Sequence, residues 1–593
     1  MSDADSKPPQ ARSPSDPPPP PPPKRGWRVW VIFLALCTST FLAALDLASV
    51  STALPAIIHD LDGTDSFAWV SSAYTLASTA VLPLIGRLAD IFGRQRVLLV
   101  SILLFAIGSA ITGSAPSMNV LIGGRAIQGV GAAGIQVLVS IVTADLIPLK
   151  ERGIFQAFTN ATYAFASVSG PFIGGVIAER TTWRWLFYLN LPLCAISFGV
   201  VAVFLQLRRP PVESMRAAFM SMDWIGNAII ITSSTSCIIA LTWAGVQFPW
   251  VSAPVLLPLI IGVIGFPCAI AYDAYVAEHP VIPLSILNNR TSLGGYLGAF
   301  FHGLVINALG FYLPTYFQAA KAASPIMSGL YSLPSGLVIS PAAIAQGMLI
   351  SKTGKYRLIN LVGWCLMFLS VGLISMINEK TPQGEIVPFQ LILGVGAGLL
   401  YATTFTVLAP LEPTQNASAL SFLLFVRTIT SSWAIAISAT ILQNDLSHKL
   451  PPEFIAMVPG GHDLTYSSIP LIPSLPSPLQ EEVRAAFASS LQLVWRVLLA
   501  FCAAGTLSVV LQKQIALHSK MDDRWGLKEK EKKDRLDEDD DAEKAGAAAP
   551  APAVGLSIDA RSDESRRSRL VNVSLQPVPD TPAPETSSFA VAH

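Results

Sequence analysis

The sequence predicts an all-α membrane protein: two pseudo-symmetric six-helix bundles plus two extra central helices, fourteen transmembrane helices in all. Three observations predict it. Of 593 residues, 52% are hydrophobic and only 13% charged, and the mean hydropathy is +0.52; a soluble domain carries about 25% charge. Apolar runs close to the roughly 20 residues that a bilayer demands recur along the body of the chain. A short basic loop between two such runs, residues 86–96, is echoed by residues 347–357, which match it at Gly86/Gly347, Leu88/Leu349, Gly93/Gly354, Arg94/Lys355 and Arg96/Arg357. Two related halves in a membrane chain are the pattern of a transporter that rocks around a central site.

The elements follow in order. Residues 1–28 are polar, with the proline run Pro17–Pro23 followed by Lys24 and Arg25. They cannot bury a core and are expected to be a disordered cytoplasmic tail, a solvated spacer or a ligand for an SH3- or WW-type partner. No cleavable signal peptide is expected, since the first apolar run is long enough to span. The N-terminal bundle, 29–206, holds spans at 29–52, 68–88, 97–115, 119–146, 154–178 and 185–206. A linker region, 207–291, holds two more at 224–245 and 253–275. The C-terminal bundle, 292–511, holds spans at 292–318, 327–350, 358–377, 386–411, 417–442 and 490–511, with a long outer loop, 443–489, rich in Pro and Ser. Residues 512–593, rich in Lys, Glu, Asp, Ala, Pro and Ser, read as a second disordered cytoplasmic tail.

Lysine and arginine set the orientation. With the N-terminus inside, the inner loops carry Arg87, Arg94, Arg96, Lys150, Arg152, Arg208, Arg209, Arg216, Lys352, Lys355 and Arg357, and the last tail adds Lys528, Lys530, Lys532 and Lys533. The opposite loops hold fewer: Arg180, Arg184, Lys321, Lys380, Lys449 and Arg484. Both termini are therefore expected in the cytoplasm. In that topology the glycosylation triplets at Asn160, Asn289, Asn416 and Asn572 are inaccessible chance matches. The net charge of zero lies in loops and tails and gives no sign of a nucleic-acid partner. The six cysteines sit inside apolar runs without metal-ligand spacing or a disulfide framework. With no nucleotide-binding loop, metal cluster or nucleophile arrangement, the reading is no enzyme, no cofactor, no metal and no ATP bound to this chain.

Polar groups inside the spans are the mechanistic candidates. A charge at bilayer depth costs at least about 2.5–3.5 kcal/mol and must face a cavity or a partner. Asp46 lies in the first span, Arg125 and Gln128 in the fourth, and Arg427 in the thirteenth. Asn160, His302, Asn307 and Gln136 are softer candidates, and a lone histidine such as His302 suits a hydrogen-bonded packing role better. Arg427 is as consistent with snorkelling or local pairing as with function. Aromatic residues of the spans, Tyr163 among them, suit an apolar pocket. The fifth span carries Gly170-Pro171-Phe172-Ile173-Gly174-Gly175, where proline removes a backbone donor and glycine admits a neighbouring helix. The fourth and twelfth spans share a small-residue cluster, Gly129-Val-Gly-Ala and Gly394-Val-Gly-Ala.

On these residues the chain resembles the major facilitator superfamily, specifically its fourteen-span drug:proton antiporter branch, over roughly residues 29–511. The loop from Gly86 to Arg96 is similar to the family signature between the second and third spans. Arg125 to Gly131 resembles the basic motif of the fourth span, and Gly170 to Gly175 the antiporter motif of the fifth. Leu45-Asp46 with Ala53-Leu54-Pro55, and Trp183-Arg184-Trp185-Leu186-Phe187 with Asn190-Leu191-Pro192, resemble motifs of the branch. Two positions depart: Ala48 stands where the first-span motif has threonine, and Ser351 stands where the first loop has Asp90.

The resemblance implies the major facilitator fold and roles for particular residues. Asp46 and Arg125 would couple protons: burial favours a neutral carboxyl, and a nearby cation favours the ionised one. Gly86, Asp90, Gly93 and Arg94 would form a cytoplasmic latch, and Gly170, Pro171, Gly174 and Gly175 a hinge. Gln128, Asn160, Tyr163, His302, Asn307 and Arg427 would line the substrate pocket. The implied function is proton-coupled export of a small amphipathic or apolar compound (a toxin, drug or secondary metabolite) by a fungal protein of the plasma membrane or an internal membrane. A proton-coupled importer of an iron chelate or organic nutrient, and a non-transporting nutrient sensor, are the alternatives.

Overall fold

The computed structural model describes residues 27–61, 68–207, 220, 222–244, 248–278, 280–457 and 468–517. Pro17–Pro23, Asn572 and nearly all of both tails fall outside these residues, as do the side chains of Pro171 and Gly175. The described residues lie within one compact unit, Met1–Lys528. They form helices joined by turns, with one isolated bridge between Ala244 and Phe248. A chain in hydrocarbon has no water to satisfy its amides, and the helix satisfies them within the segment.

The first bundle comprises α1 (Trp27–Leu61), α2 (Ala68–Phe92), α3 (Arg94–Gly113), α4 (Met118–Leu146), α5 (Arg152–Arg180), and the pair α6 (Arg184–Tyr188) and α7 (Asn190–Phe204). Two further helices follow, α8 (Trp224–Trp243) and α9 (Ala253–Tyr275). The second bundle comprises α10 (Arg290–Ala319), α11 (Pro325–Thr353), α12 (Tyr356–Ile374), α13 (Gln383–Gly398), α14 (Thr404–Leu408), α15 (Asn416–Lys449), the short α16 (Pro452–Ile455) and α17 (Leu479–Leu511). Twelve helices among the described residues are long and apolar enough to cross a membrane. The two expected spans outside that set are α5, which is 29 residues long, and the twelfth span, which is broken. The architecture is consistent with fourteen spans.

Corresponding helices meet corresponding partners. In the first bundle α1 packs on α5 and α7, α2 on α4, and α3 on α4 and α7. In the second, α10 packs on α15 and α17, α11 on α13, and α12 on α13 and α17. Among the described residues the bundles meet chiefly through α2 on α15 and α5 on α11, and α4 also touches α15. The extra helices α8 and α9 pair with each other, and α8 lies against both α2 and α15.

The repeated loop glycines divide into two jobs. Gly93 and Gly354 have φ of 90° and 67°, a region that penalises any Cβ, so each loop turns on its second glycine. Gly86 and Gly347 instead lie in the two main inter-bundle contacts. A Cβ on Gly86 would lie 3.0 Å from the Ala417 carbonyl oxygen on α15, and one on Gly347 would lie 2.7 Å from the Gly153 carbonyl oxygen on α5. The bundles therefore meet, backbone against backbone, at the ends of the helices that carry the basic loops.

Three expected boundaries change. The span expected at 386–411 is two helices, α13 and α14, separated by turns at 399–403 beyond a glycine-rich run of low helix propensity. The span expected at 185–206 begins as α6 and restarts at Asn190. The outer loop expected at 443–489 shortens to 450–478. Leu442 and Leu446 continue the buried face of α15 until Leu450-Pro451-Pro452 ends it, and Val483, Phe487 and Leu491 extend that of α17. The fifth span is continuous through Gly170–Gly175.

Close backbone contact at Gly153 leaves no room for a branched side chain. Gly153→Val is expected to part α5 from α11 and to speed maleimide labelling of a Ser351→Cys reporter in membranes several-fold. Unchanged labelling would remove Gly153 from the closure.

Candidate functional site

The charges expected to carry mechanism in the first bundle converge. Asp46 from α1 and Arg125 from α4 form an ion pair, Arg125 Nη1 to Asp46 Oδ2, at 2.5 Å, and both are buried. Arg125 Nη1 also donates to Gln128 Oε1 at 2.7 Å, and Arg125 Nε donates to the Val70 carbonyl on α2 at 3.2 Å. The second carboxylate oxygen, Asp46 Oδ1, accepts from Gln128 Nε2 and from Asn190 Nδ2 on α7, each at 2.8 Å. Ser109 Oγ on α3 accepts from the same two amides at 2.8 and 3.3 Å. The guanidinium lies 4.4 Å from the ring centre of Tyr74 on α2 and 5.9 Å from that of Phe187 on α6. Arg125 Nη2 is buried without a hydrogen-bond partner.

This arrangement has a chemical consequence. All three bonds to the carboxylate come from N–H donors, so they suit the ionised form of Asp46. A proton on Asp46 would replace one acceptor by a donor facing a guanidinium, and the donors would have to rearrange.

A second network stands at the basic loop. Arg94 Nη1 donates to Asp90 Oδ1 and to the Ala89 carbonyl, each at 2.7 Å, while Arg94 Nε donates to Asp145 Oδ2 on α4 at 3.0 Å. Arg94 is 2% exposed, so the loop cation is drawn inward rather than displayed. Arg152, at the start of α5, donates to the Ala144 and Ile147 carbonyls at 2.6 and 2.8 Å, a cation at the C-terminus of α4. The Cβ of Ala48 lies 2.5 Å from where a Cβ on Gly170 would stand, so α5 approaches α1 two residues from Asp46. That approach explains alanine at the position where threonine was expected.

The pocket candidates separate. Gln128 belongs to the Asp46 cluster. Tyr163 stands near Tyr74 and is exposed. Asn160 accepts a bond from Gln156 on its own helix at 3.3 Å, and Asn307 donates back to the Gly303 carbonyl at 2.7 Å. His302 and Arg427 converge elsewhere, on the broken twelfth span. His302 Nε2 meets the Ala397 carbonyl at 3.1 Å, and Arg427 Nη2 donates to the Tyr401 carbonyl and, at 3.2 Å, to Thr403 Oγ1. Gln346 Oε1, from α11, accepts from the Ala402 amide at 2.6 Å. Three helices thus supply the partners that the interrupted backbone lacks.

Sequence reasoning missed Asn190 and Ser109 as partners of Asp46, Asp145 as the second acid on Arg94, and Gln346 at the break. Asp145 carried a usable signal, a carboxylate inside an apolar run. Serine, asparagine and glutamine give no comparable signal, because helices satisfy them locally. Among the described residues no three His, Cys, Asp or Glu side chains stand together as metal ligands would.

Comparison with known proteins adds to this geometry. The sequence pattern described as Major Facilitator Superfamily matches residues 36–437. "Efflux pump FUS6" of Gibberella fujikuroi is 35% identical over 535 residues, covering 89% of this chain and 96% of the relative. The "Acurin A biosynthesis cluster MFS-type transporter" of Aspergillus aculeatus is 34% identical over 515 residues, covering 85% of this chain and 92% of the relative. The solved proton:xylose symporter XylE superposes with a TM-score of 0.53 at 13% identity, covering 83% of this chain and 98% of that one.

Removing one partner of a buried pair leaves an uncompensated charge, which costs on the order of 3–5 kcal/mol. Asp46→Asn is expected to lower the unfolding temperature of the solubilised protein, and the double variant Asp46→Asn/Arg125→Gln to recover most of the loss. Additive losses in the double variant would show that the two side chains do not stabilise each other.

Proposed function

The chain belongs to the major facilitator superfamily, and from that premise we propose that it is a proton-coupled antiporter exporting a small amphipathic or apolar metabolite or toxin by alternating access. Two curated relatives aligned over most of this chain support the direction, one named an efflux pump and the other a transporter of a biosynthesis cluster. The observation that carries the proton coupling is Asp46, a buried carboxylate bonded by Arg125, Gln128 and Asn190 from two other helices.

Placing the basic loops in the cytoplasm, as their lysines and arginines favour, makes the closed end of the seam the inner one. In this conformation the protein is then sealed inward, with Gly86 on α15 and Gly347 on α5. Asp90, Arg94 and Asp145 latch the loop beside that seal. Protonating Asp46 removes its ion pair with Arg125 and loosens the junction of α1, α4 and α7, which biases the bundles toward the other state. The Gly170–Gly175 stretch, packed on α1 at Ala48, is the hinge. One proton moving through about 100 mV supplies roughly 2.3 kcal/mol per cycle. The two bundles flank the linker pair α8 and α9, and both tails lie in the cytoplasm of a cell whose plasma membrane holds the protein.

Inverted membrane vesicles with an imposed proton gradient provide the test, using a panel of fluorescent lipophilic compounds. Accumulation that collapses with a protonophore is expected for the parent protein and lost in Asp46→Asn/Arg125→Gln, where the buried charges stay balanced. Gradient-driven accumulation at the parent rate in that variant would sink the role of Asp46. Transport only in the opposite direction would sink the export reading.

A further inference from the structure

The guanidinium groups of Arg125 and Arg427, at the heart of the two bundles, are not equivalent. Arg125 is fully buried and answered by Asp46. Among the described residues Arg427, on α15, bonds only neutral groups, the Tyr401 carbonyl and the Thr403 hydroxyl. Both bonds use Nη2, none is made by Nη1, and Nε is buried without a partner. Among the described residues, every ion pair engages another cation: Arg94, Arg125, Arg184 or Lys449.

From this geometry we propose that Arg427 recognises an acidic group on the transported molecule, a carboxylate or an ionised enol or phenol. The proposal rests on the efflux reading and names its substrate class. Position supports it first. Arg427 lies about 16 Å along α15 from its start at Asn416, at mid-bilayer depth. It is part-exposed, and a guanidinium turned toward hydrocarbon at that depth is strongly disfavoured. Its open side therefore faces the polar seam between the bundles. α15 is the helix of the second bundle that packs on both α2 and α4 of the first, so it borders that seam.

Local structure supports it next. The guanidinium is held in place by the broken span rather than left on a flexible stem, because Tyr401 and Thr403 lie in the turns between α13 and α14. Its centre also lies 5.1 Å from the Tyr401 ring centre. His302 stands edge-on to the same ring at 88° and is close enough to feel the Arg427 charge. A fixed cation with an unused donor, beside aromatic rings and next to a helix break, matches an amphipathic anion: the charge meets Nη1 and the apolar body meets the rings. The Asp46–Arg125 pair contributes no net charge, so Arg427 sets the sign of the central field.

The test titrates the solubilised full-length protein with 1-pyrenebutanoate and with its uncharged methyl ester, reading energy transfer from tryptophan to pyrene. The acid is expected to bind at least ten-fold more tightly than the ester. The preference is expected to vanish in Arg427→Gln and to survive in Arg427→Lys. Equal affinities for the wild-type protein would overturn the proposal, as would an undiminished preference in Arg427→Gln. Should Arg427→Gln fail to fold, the wild-type comparison decides alone. Selective binding of the acid without proton-driven movement of either probe in vesicles would uphold the anion site and refute the export reading. Proton-driven movement with equal binding of acid and ester would do the reverse.

Discussion

A carboxylate and a guanidinium at bilayer depth cannot stand apart from each other or from hydrogen-bonding partners, and the first bundle is arranged around that constraint. The Asp46–Arg125 pair draws α1 and α4 together, and most of the bonds left over are met by other elements, Val70 from α2, Ser109 from α3 and Asn190 from α7, while Arg125 Nη2 stays without a partner among the described residues. Desolvation is offset only because geometry is good and the remaining lone pairs are used. Changing the charge on Asp46 would alter what each neighbouring donor can do.

Pseudo-symmetry governs the frame but not the chemistry. The helix pairings, the turn glycines and the backbone contacts across the seam all occur twice. The polar groups do not. The first loop holds Arg94 between Asp90 and Asp145. The second has Ser351 in place of the acid, and there the chain beyond α17 takes over: the Lys513 carbonyl accepts from Tyr356 Oη at 2.5 Å, the Ile515 amide donates to that hydroxyl at 3.0 Å, and Gln514 bonds Gly354. One loop is fixed by charge and the other by a strap of backbone. The first loop is thus held within its own bundle by ion pairs, while the second is tied to the segment that follows its last helix.

The broken twelfth span is the second departure from symmetry. Its counterpart α4 runs unbroken over 29 residues and carries Arg125 and Gln128. In the second bundle the backbone opens instead, and His302, Gln346 and Arg427 are spent on it. Two halves of one ancestral plan thereby present different surfaces to the seam, a paired charge on one side and an unpaired one on the other.

The sequence by itself determined the class, the helix count with which the structure is consistent, the two related halves and the identity of the buried charges. It did so because hydrophobic length and a charge inside an apolar run are local properties, legible residue by residue. Asp46 and Arg125 were found in that way, Gln128 as a polar group in the same span and Asp90 and Arg94 through the repeated loop, while the buried Asp145 was missed. Only the tertiary structure decided which of them meet. Asn190 and Asp46 are far apart in the chain, and a hydrogen bond between them depends on how α1 and α7 pack. The break at 399–403 was equally hidden, because a helix opens only when neighbours supply partners for its freed amides, and those neighbours, Gln346 and Arg427, come from other helices. Local pattern fixes what each segment must bury; the long-range fit of segments fixes what each buried group touches.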